Sequence, residues 1–104
     1  MSSDRHFDLW WSDPALRDLL EIVRYIKVDS PSAARKVRDE IKSKVSRLEA
    51  FPRSGRLVPE LSGSGYREVI VRNYRVIYRV KQDVGEIEIL AIHHGAKPLD
   101  LGPK

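Results

Sequence analysis

The chain has 104 residues, 41% hydrophobic and 33% charged, with a net charge of +4 and an isoelectric point near 9.6. That length holds one domain with a small core, and the absence of cysteine excludes disulfides and thiolate metal sites and fits a reducing, cytoplasmic setting. The N-terminus MSSDRHFDLWW carries no apolar signal segment, the run Ile89–Ile92 is far too short to span a bilayer, and the basic excess suits either an acidic partner or simply a soluble surface.

FDLWW (Phe7 to Trp11) is predicted as a short strand from its aromatic content, with one tryptophan in the core and the other at its rim. Ser12 or Asp13 then caps a helix whose first turn accepts Pro14, because the missing proline N–H has no partner there anyway. Leu16, Leu19, Leu20, Val23 and Ile26 recur at helical spacing, and this helix is predicted to end near Val28. Ser30 and Pro31 repeat the device. A second helix follows, with Ala34, Val37, Ile41, Val45 and Leu48 on one face and interleaved charges on the others, a solvated pattern. The two helices make an αα-hairpin with a very short link.

Pro52 ends the second helix, and Phe51 to Gly65 reads as a Gly/Pro/Ser loop. Three strands are predicted after it: Tyr66 to Val71, Tyr74 to Lys81 and Glu86 to Ile92. Asn73 is assigned the positive φ that a two-residue hairpin turn needs. Residues 1–6 and 98–104 are expected to be flexible. The fold class is therefore α+β: an N-terminal strand, a helical hairpin and a three-stranded antiparallel meander, with the helices on one face of the sheet.

The hydrophobic pattern sets the register, since a slip of one residue turns every side chain over. Val71 opposite Tyr74 places Val69 against Val76 and Arg67 against Tyr78. Lys81 opposite Glu86 places Val80 against Ile87, Tyr78 against Ile89, Val76 against Ala91 and Tyr74 against His93. The opposite face then carries Tyr66, Glu68, Ile70, Arg75, Ile77, Arg79, Glu88, Leu90 and Ile92. Arg79 faces Glu88 as a cross-strand pair, Arg75 faces Ile92 without an obvious acid, and Arg72 is a solvated turn residue. Ile70, Ile77, Leu90 and Ile92 form an apolar patch of the kind that marks an interaction site, unless the tail or the N-terminal segment covers it. His94 shares the side of Arg75, whereas His93 belongs beside Tyr74 in the core. No spaced His/Cys cluster suggests a metal, and neither a phosphate loop nor a G-x-S-x-G elbow occurs.

FPRSGRLVPEL (Phe51 to Leu61), GYREVIVRNYRVIYRV (Gly65 to Val80) and IEILAIHHGAK (Ile87 to Lys97), following the SDPALRDLLEIVRYI helix, together resemble the RelE/ParE superfamily of bacterial toxins over residues 7 to 97. The resemblance implies the toxin of a type II toxin–antitoxin system: a growth inhibitor serving plasmid stabilization, neutralised by a cognate antitoxin that wraps it and contacts operator DNA. It implies no cofactor and no metal.

RelE-like members cleave mRNA on the ribosome, whereas ParE-like members poison DNA gyrase. Arg67 and Arg75 match two basic positions of the RelE pattern. Val69 stands where RelE has a lysine, Lys97 where an arginine is usual, and the C-terminal tyrosine is absent. HHGAK resembles the HGAR ending of ParE-like chains. The resemblance therefore favours a gyrase-directed toxin over a nuclease using Arg67, Arg75, His94 and Lys97, with a non-toxic binding module as a third reading. The expected antitoxin or target contacts are Tyr66, Arg67, Ile70, Arg75, Ile77, Arg79, Leu90, Ile92, His94 and Lys97.

Overall fold

The computed structural model describes residues 6–95. β1 (Asp8–Trp11) leads into α1 (Asp13–Asp29) and α2 (Pro31–Ser46), which ends in a 3-10 turn at Arg47–Glu49. β2 (Arg56–Leu57) and a second 3-10 turn (Pro59–Leu61) precede β3 (Arg67–Val71), β4 (Tyr74–Lys81) and β5 (Glu86–His94). The five strands form one sheet in the order β1-β5-β4-β3-β2, with β1 parallel to β5 and the other pairs antiparallel. The α+β architecture is the expected one. The short β2 lies within the stretch read as loop, and β1 joins the sheet beside β5. Among the described residues no helix is long and apolar enough to cross a membrane.

Local chemistry explains the helix ends. Ser12 Oγ accepts from the Ala15 amide, which caps α1. Ser30 serves both helices: its N–H donates to the Ile26 carbonyl and its Oγ accepts from the Ala33 amide. A single residue therefore satisfies both ends, and α1 and α2 turn back on one another without a longer loop.

The core lies between the hairpin and one sheet face. Leu19 of α1 and Val37, Ile41 and Val45 of α2 pack there with Val76, Tyr78, Ile87 and Ile89. The buried face of α1 is narrower than expected. Leu16 and Leu20 are exposed, and Ala15, Leu19, Ile22, Val23 and Ile26 carry the packing. The reason is angular: Leu16 and Leu20 each sit one residue, about 100°, past Ala15 and Leu19 on the helix wheel. Trp11 packs against the core, while Trp10 lies at the rim with the Lys81 ammonium 5.2 Å from its ring centroid.

The β3–β4 register is the predicted one throughout, and β4–β5 is as predicted from Lys81↔Glu86 to Tyr78↔Ile89. It then shifts. Ile77 pairs with Ala91, Val76 with Ile92, Arg75 with His93 and Tyr74 with His94, so Leu90 is an extra residue in β5. A bulge of this kind reverses the facing of everything beyond it. Ile92 enters the core at 7% exposure, and His94 rather than His93 meets Tyr74, edge-on with ring centroids 5.5 Å apart. Elements remote in sequence hold the bulge. Ser12 Oγ donates to the Leu90 carbonyl, and Asp18 Oδ2 accepts from the Ile92 amide, where β1 no longer pairs with β5. The positive φ of the β3–β4 turn falls on Arg72 (55°), not on Asn73.

Candidate functional site

The segment after α2 is tied to the sheet and runs along its β3 side. Tyr78 Oη accepts from the Gly55 amide at 3.0 Å and donates to the Pro52 carbonyl at 2.8 Å. Arg67 Nη1 donates to the Gly55 carbonyl at 2.7 Å and the Arg53 carbonyl at 3.3 Å. Only glycine fits at position 55, because a Cβ there would stand 2.6 Å from both the Glu68 carbonyl oxygen and Tyr78 Oη. The chain then crosses to the outer face as β2 and the Pro59–Leu61 turn. Val58 is buried there, as is Ile77, which is 0% exposed, and neither belongs to the main core cluster.

A run of four alternating charges locks this segment. Glu68 is a fully buried carboxylate, with Oε2 2.6 Å from Arg56 Nε and Oε1 2.6 Å from Arg75 Nε. Both terminal nitrogens of Arg75 donate to the Glu60 carboxylate, each at 2.7 Å. These hydrogen bonds, aided by a backbone amide, hold the Glu60 carboxyl down to about 2 and raise the Arg75 guanidinium above its ordinary value. A buried carboxylate is tolerable only with such partners. The expectation that Arg75 lacks an acid is therefore corrected. Its partners are a diagonal neighbour on β3 and a residue of the covering turn, neither of them directly opposite it.

The remaining candidate residues separate in the same way. Arg79 meets Glu88 at 2.9 Å, as the register predicted. Arg72 is paired with Glu40 of α2 at 2.8 Å in addition to being solvated. Ile77 and Ile92 are withdrawn from the outer surface: the first is fully buried, and the bulge turns the second towards the core. Ile70 is exposed and Tyr66 half-buried, and Leu90 is half-buried at the bulge. His93, not His94, stands across from Arg75. Lys97 lies outside the described residues.

The accessible surface is consequently different from the one the strand pattern marked out. A cleft of about 510 Å³ runs between the C-terminal end of α2 and β3, lined by Lys44, Arg47, Phe51, Arg56, Val69 and Ile70 among others. β2 pairs only with Arg67 and Glu68, so the Val69–Val71 edge of β3 is left without a strand partner among the described residues. Exposed Phe51 and Ile70 lie beside the three cations. On the far side of Ile70, a cleft of about 400 Å³ reaches Arg72, Asn73, Arg75 and His94. A third, of about 630 Å³, joins Asp18, Glu21 and Tyr25 of α1 to Tyr74, His93 and His94, and burial raises the Asp18 carboxyl against the opposing hydrogen bond from Ile92. Among the described residues no group of three or more His, Asp or Glu side chains converges as a metal site.

This arrangement of a helical hairpin on a mixed five-stranded sheet has relatives. A family model described as the ParE toxin of the type II toxin–antitoxin system parDE matches residues 9–99. The chain belongs to this family. It is 40% identical over 86 residues to "Putative toxin Y4kP" of Sinorhizobium fredii, covering 81% of this chain and 83% of that protein. Among solved structures, this ParE-family chain is similar to a chain of the chromosomal ParDE system from P. aeruginosa, with a TM-score of 0.71 and 26% identity over 88% of this chain and 98% of that one. A chain of the RelBE2 toxin–antitoxin complex from Mycobacterium tuberculosis (TM-score 0.60, 23% identity, 86% and 98% covered) and a free-state mutant of E. coli toxin RelE (0.60, 18%, 86% and 83%) share the fold. The ParE-family chain is thus the toxin of a type II toxin–antitoxin system, with a cognate antitoxin as its partner.

Proposed function

We propose that this toxin arrests growth through a protein contact that inhibits DNA gyrase, and that it does not cut RNA. The fate of Arg75 carries the reading. A nuclease of this fold needs cations aimed at a scissile phosphate, and each missing electrostatic contact costs ~10²–10³ in rate. Here Arg75 is bound to Glu60 and Glu68, Arg67 is bound to two carbonyls of the covering loop, and Val69 supplies no charge between them. The accessible cleft instead places Phe51 and Ile70 beside Lys44, Arg47 and Arg56, a mixture of apolar anchors and cations suited to a protein surface. Neutralisation by the antitoxin leaves the toxin soluble and inactive until the antitoxin is lost.

Purified chain added to a gyrase supercoiling reaction is expected to inhibit it in proportion to toxin concentration, and added antitoxin is expected to restore it. Growth arrest with supercoiling unaffected would reject the target. One observation favours the alternative, ribosome-dependent mRNA cleavage: His93 stands across from Arg75. Primer extension on translated messages tests it, since cuts in the ribosomal A site that disappear with His93→Ala would replace the gyrase reading.

A further inference from the structure

Glu68 and Glu60 hold Arg75 in unequal ways. Glu68 belongs to a strand paired on both sides, is fully buried, and keeps its second oxygen on Arg56. Glu60 is 48% exposed and sits on a single 3-10 turn, followed by Gly63 and Gly65, both at positive φ. The turn is tied down at its start, where the Val58 amide donates to the Tyr66 carbonyl, and its other backbone bonds are local, from the Leu61 amide to Val58 and from the Ser64 amide to Leu61. Glu68 therefore fixes the direction of the guanidinium, and Glu60 fills the fork that results. The Arg75 side chain is only 11% exposed and its Nε stays on buried Glu68, which leaves the guanidinium little room to turn away.

We propose that Arg75 is a binding site for one carboxylate of a protein partner, and that Glu60 plugs this site from within the chain until the partner displaces it. Three observations favour a carboxylate. The two terminal nitrogens each donate at 2.7 Å to one planar group, the fork-to-fork geometry that carboxylates match. With Glu60 swung away, Arg56, Arg75 and Glu68 leave a net charge of one positive unit, which one carboxylate neutralises. A nucleic-acid strand would bring successive phosphates against the released Glu60 and the fixed Glu68. Exposed Ile70 and the adjoining cleft of about 400 Å³ offer an apolar seat beside the fork for the residue next to the acid. The proposal does not depend on gyrase being the target.

The test uses the purified full chain, labelled with ¹⁵N, and follows the Arg75 Nε–H signal, identified by its loss in Arg75→Lys. Acetate is titrated at constant ionic strength into the wild type and into Glu60→Ala. In Glu60→Ala the signal is expected to shift saturably. The wild type should need ~10-fold or more acetate, because a tethered carboxylate competes at an effective concentration in the millimolar range or above. Dimethyl phosphate is expected to bind less well than acetate. Equal acetate responses in the two proteins overturn the plug, as does a silent signal in a Glu60→Ala chain whose circular dichroism remains native. Tighter binding of dimethyl phosphate overturns the carboxylate assignment in favour of a nucleic-acid backbone. Should Glu60→Ala fail to fold, Glu60→Gln removes the charge while keeping the shape, and the same comparison decides. No target takes part in the readout, so a failed gyrase assay leaves the outcome intact.

Discussion

Glu68→Gln removes one charge from the centre of the outer sheet face and tests whether the covering segment is held by it. The wild-type carboxylate gives one oxygen to each arginine, both at 2.6 Å, from a side chain with no exposure. An amide offers one acceptor only. Its NH₂ must then face the second guanidinium, donor against donor. Arg56 is 62% exposed and turns to water, so its half of the loss resembles a surface pair at under ~1 kcal/mol. Arg75 has little access to water, and removing one partner of a buried pair costs ~3–5 kcal/mol. Glu60 still neutralises Arg75, which reduces that figure. The expected loss is ~2–3 kcal/mol, or a fall in Tm of roughly 10–20 °C at ~4–8 °C per kcal/mol for a domain near this size. Urea and thermal unfolding followed by circular dichroism at neutral pH measure it, with Arg72→Ala as a control. The Arg72–Glu40 pair is short, 2.8 Å, but half exposed, and its loss should stay within ~1 kcal/mol. If Glu68→Gln costs no more than Arg72→Ala, burial of the charge network is not what secures the cover.

Two further outcomes follow from the same geometry. Tyr78→Phe keeps the ring in the core but strips the partner from the buried Gly55 amide and the Pro52 carbonyl, so it should cost ~1–3 kcal/mol with little change in native circular dichroism. Glu60 is depressed from 4.5 to about 2 by its hydrogen bonds to Arg75, so its contribution to stability is complete above pH 4.5 and fades as pH falls towards 2. Urea unfolding of Glu60→Gln across the acid range should therefore lie below the wild type above pH 4.5 and converge with it near pH 2.

How far the sequence could be read depends on how far apart its causes lie. Both helix starts rest on a serine and a proline within one turn, and both are where the residues place them. The hairpin registers rest on alternation between adjacent strands, and they hold as far as Tyr78↔Ile89. Beyond that point the controlling contacts come from Ser12 and Asp18, more than seventy positions away, and a period-two pattern carries no trace of them. Similarly, β2 is two residues long and is a strand only because β3 lies beside it.

The candidate site falls within these non-local regions. Reading only directly opposed residues left Arg75 without an acid, although Glu68 is its diagonal neighbour and within reach of a long side chain. An acid alternating with Val and Ile in a strand two positions from a cross-strand arginine was the available signal. Glu60 had no such signal, because its approach to Arg75 depends on the path of the whole segment from Pro52, pinned by Tyr78 and Arg67. The bulge has the same consequence for the histidines. One extra residue at Leu90 replaces Ile92 by His93 across from Arg75, while His94 still lines the cleft beside Arg75. The apolar patch inferred from alternation loses Ile92 to the bulge, and the arginine inferred to be unpaired gains its acids from β3 and the 59–61 turn, so both expectations fail through contacts that a local pattern does not carry. What remains exposed is set by where β2 ends: the free edge of β3 and the cations of α2 beside it.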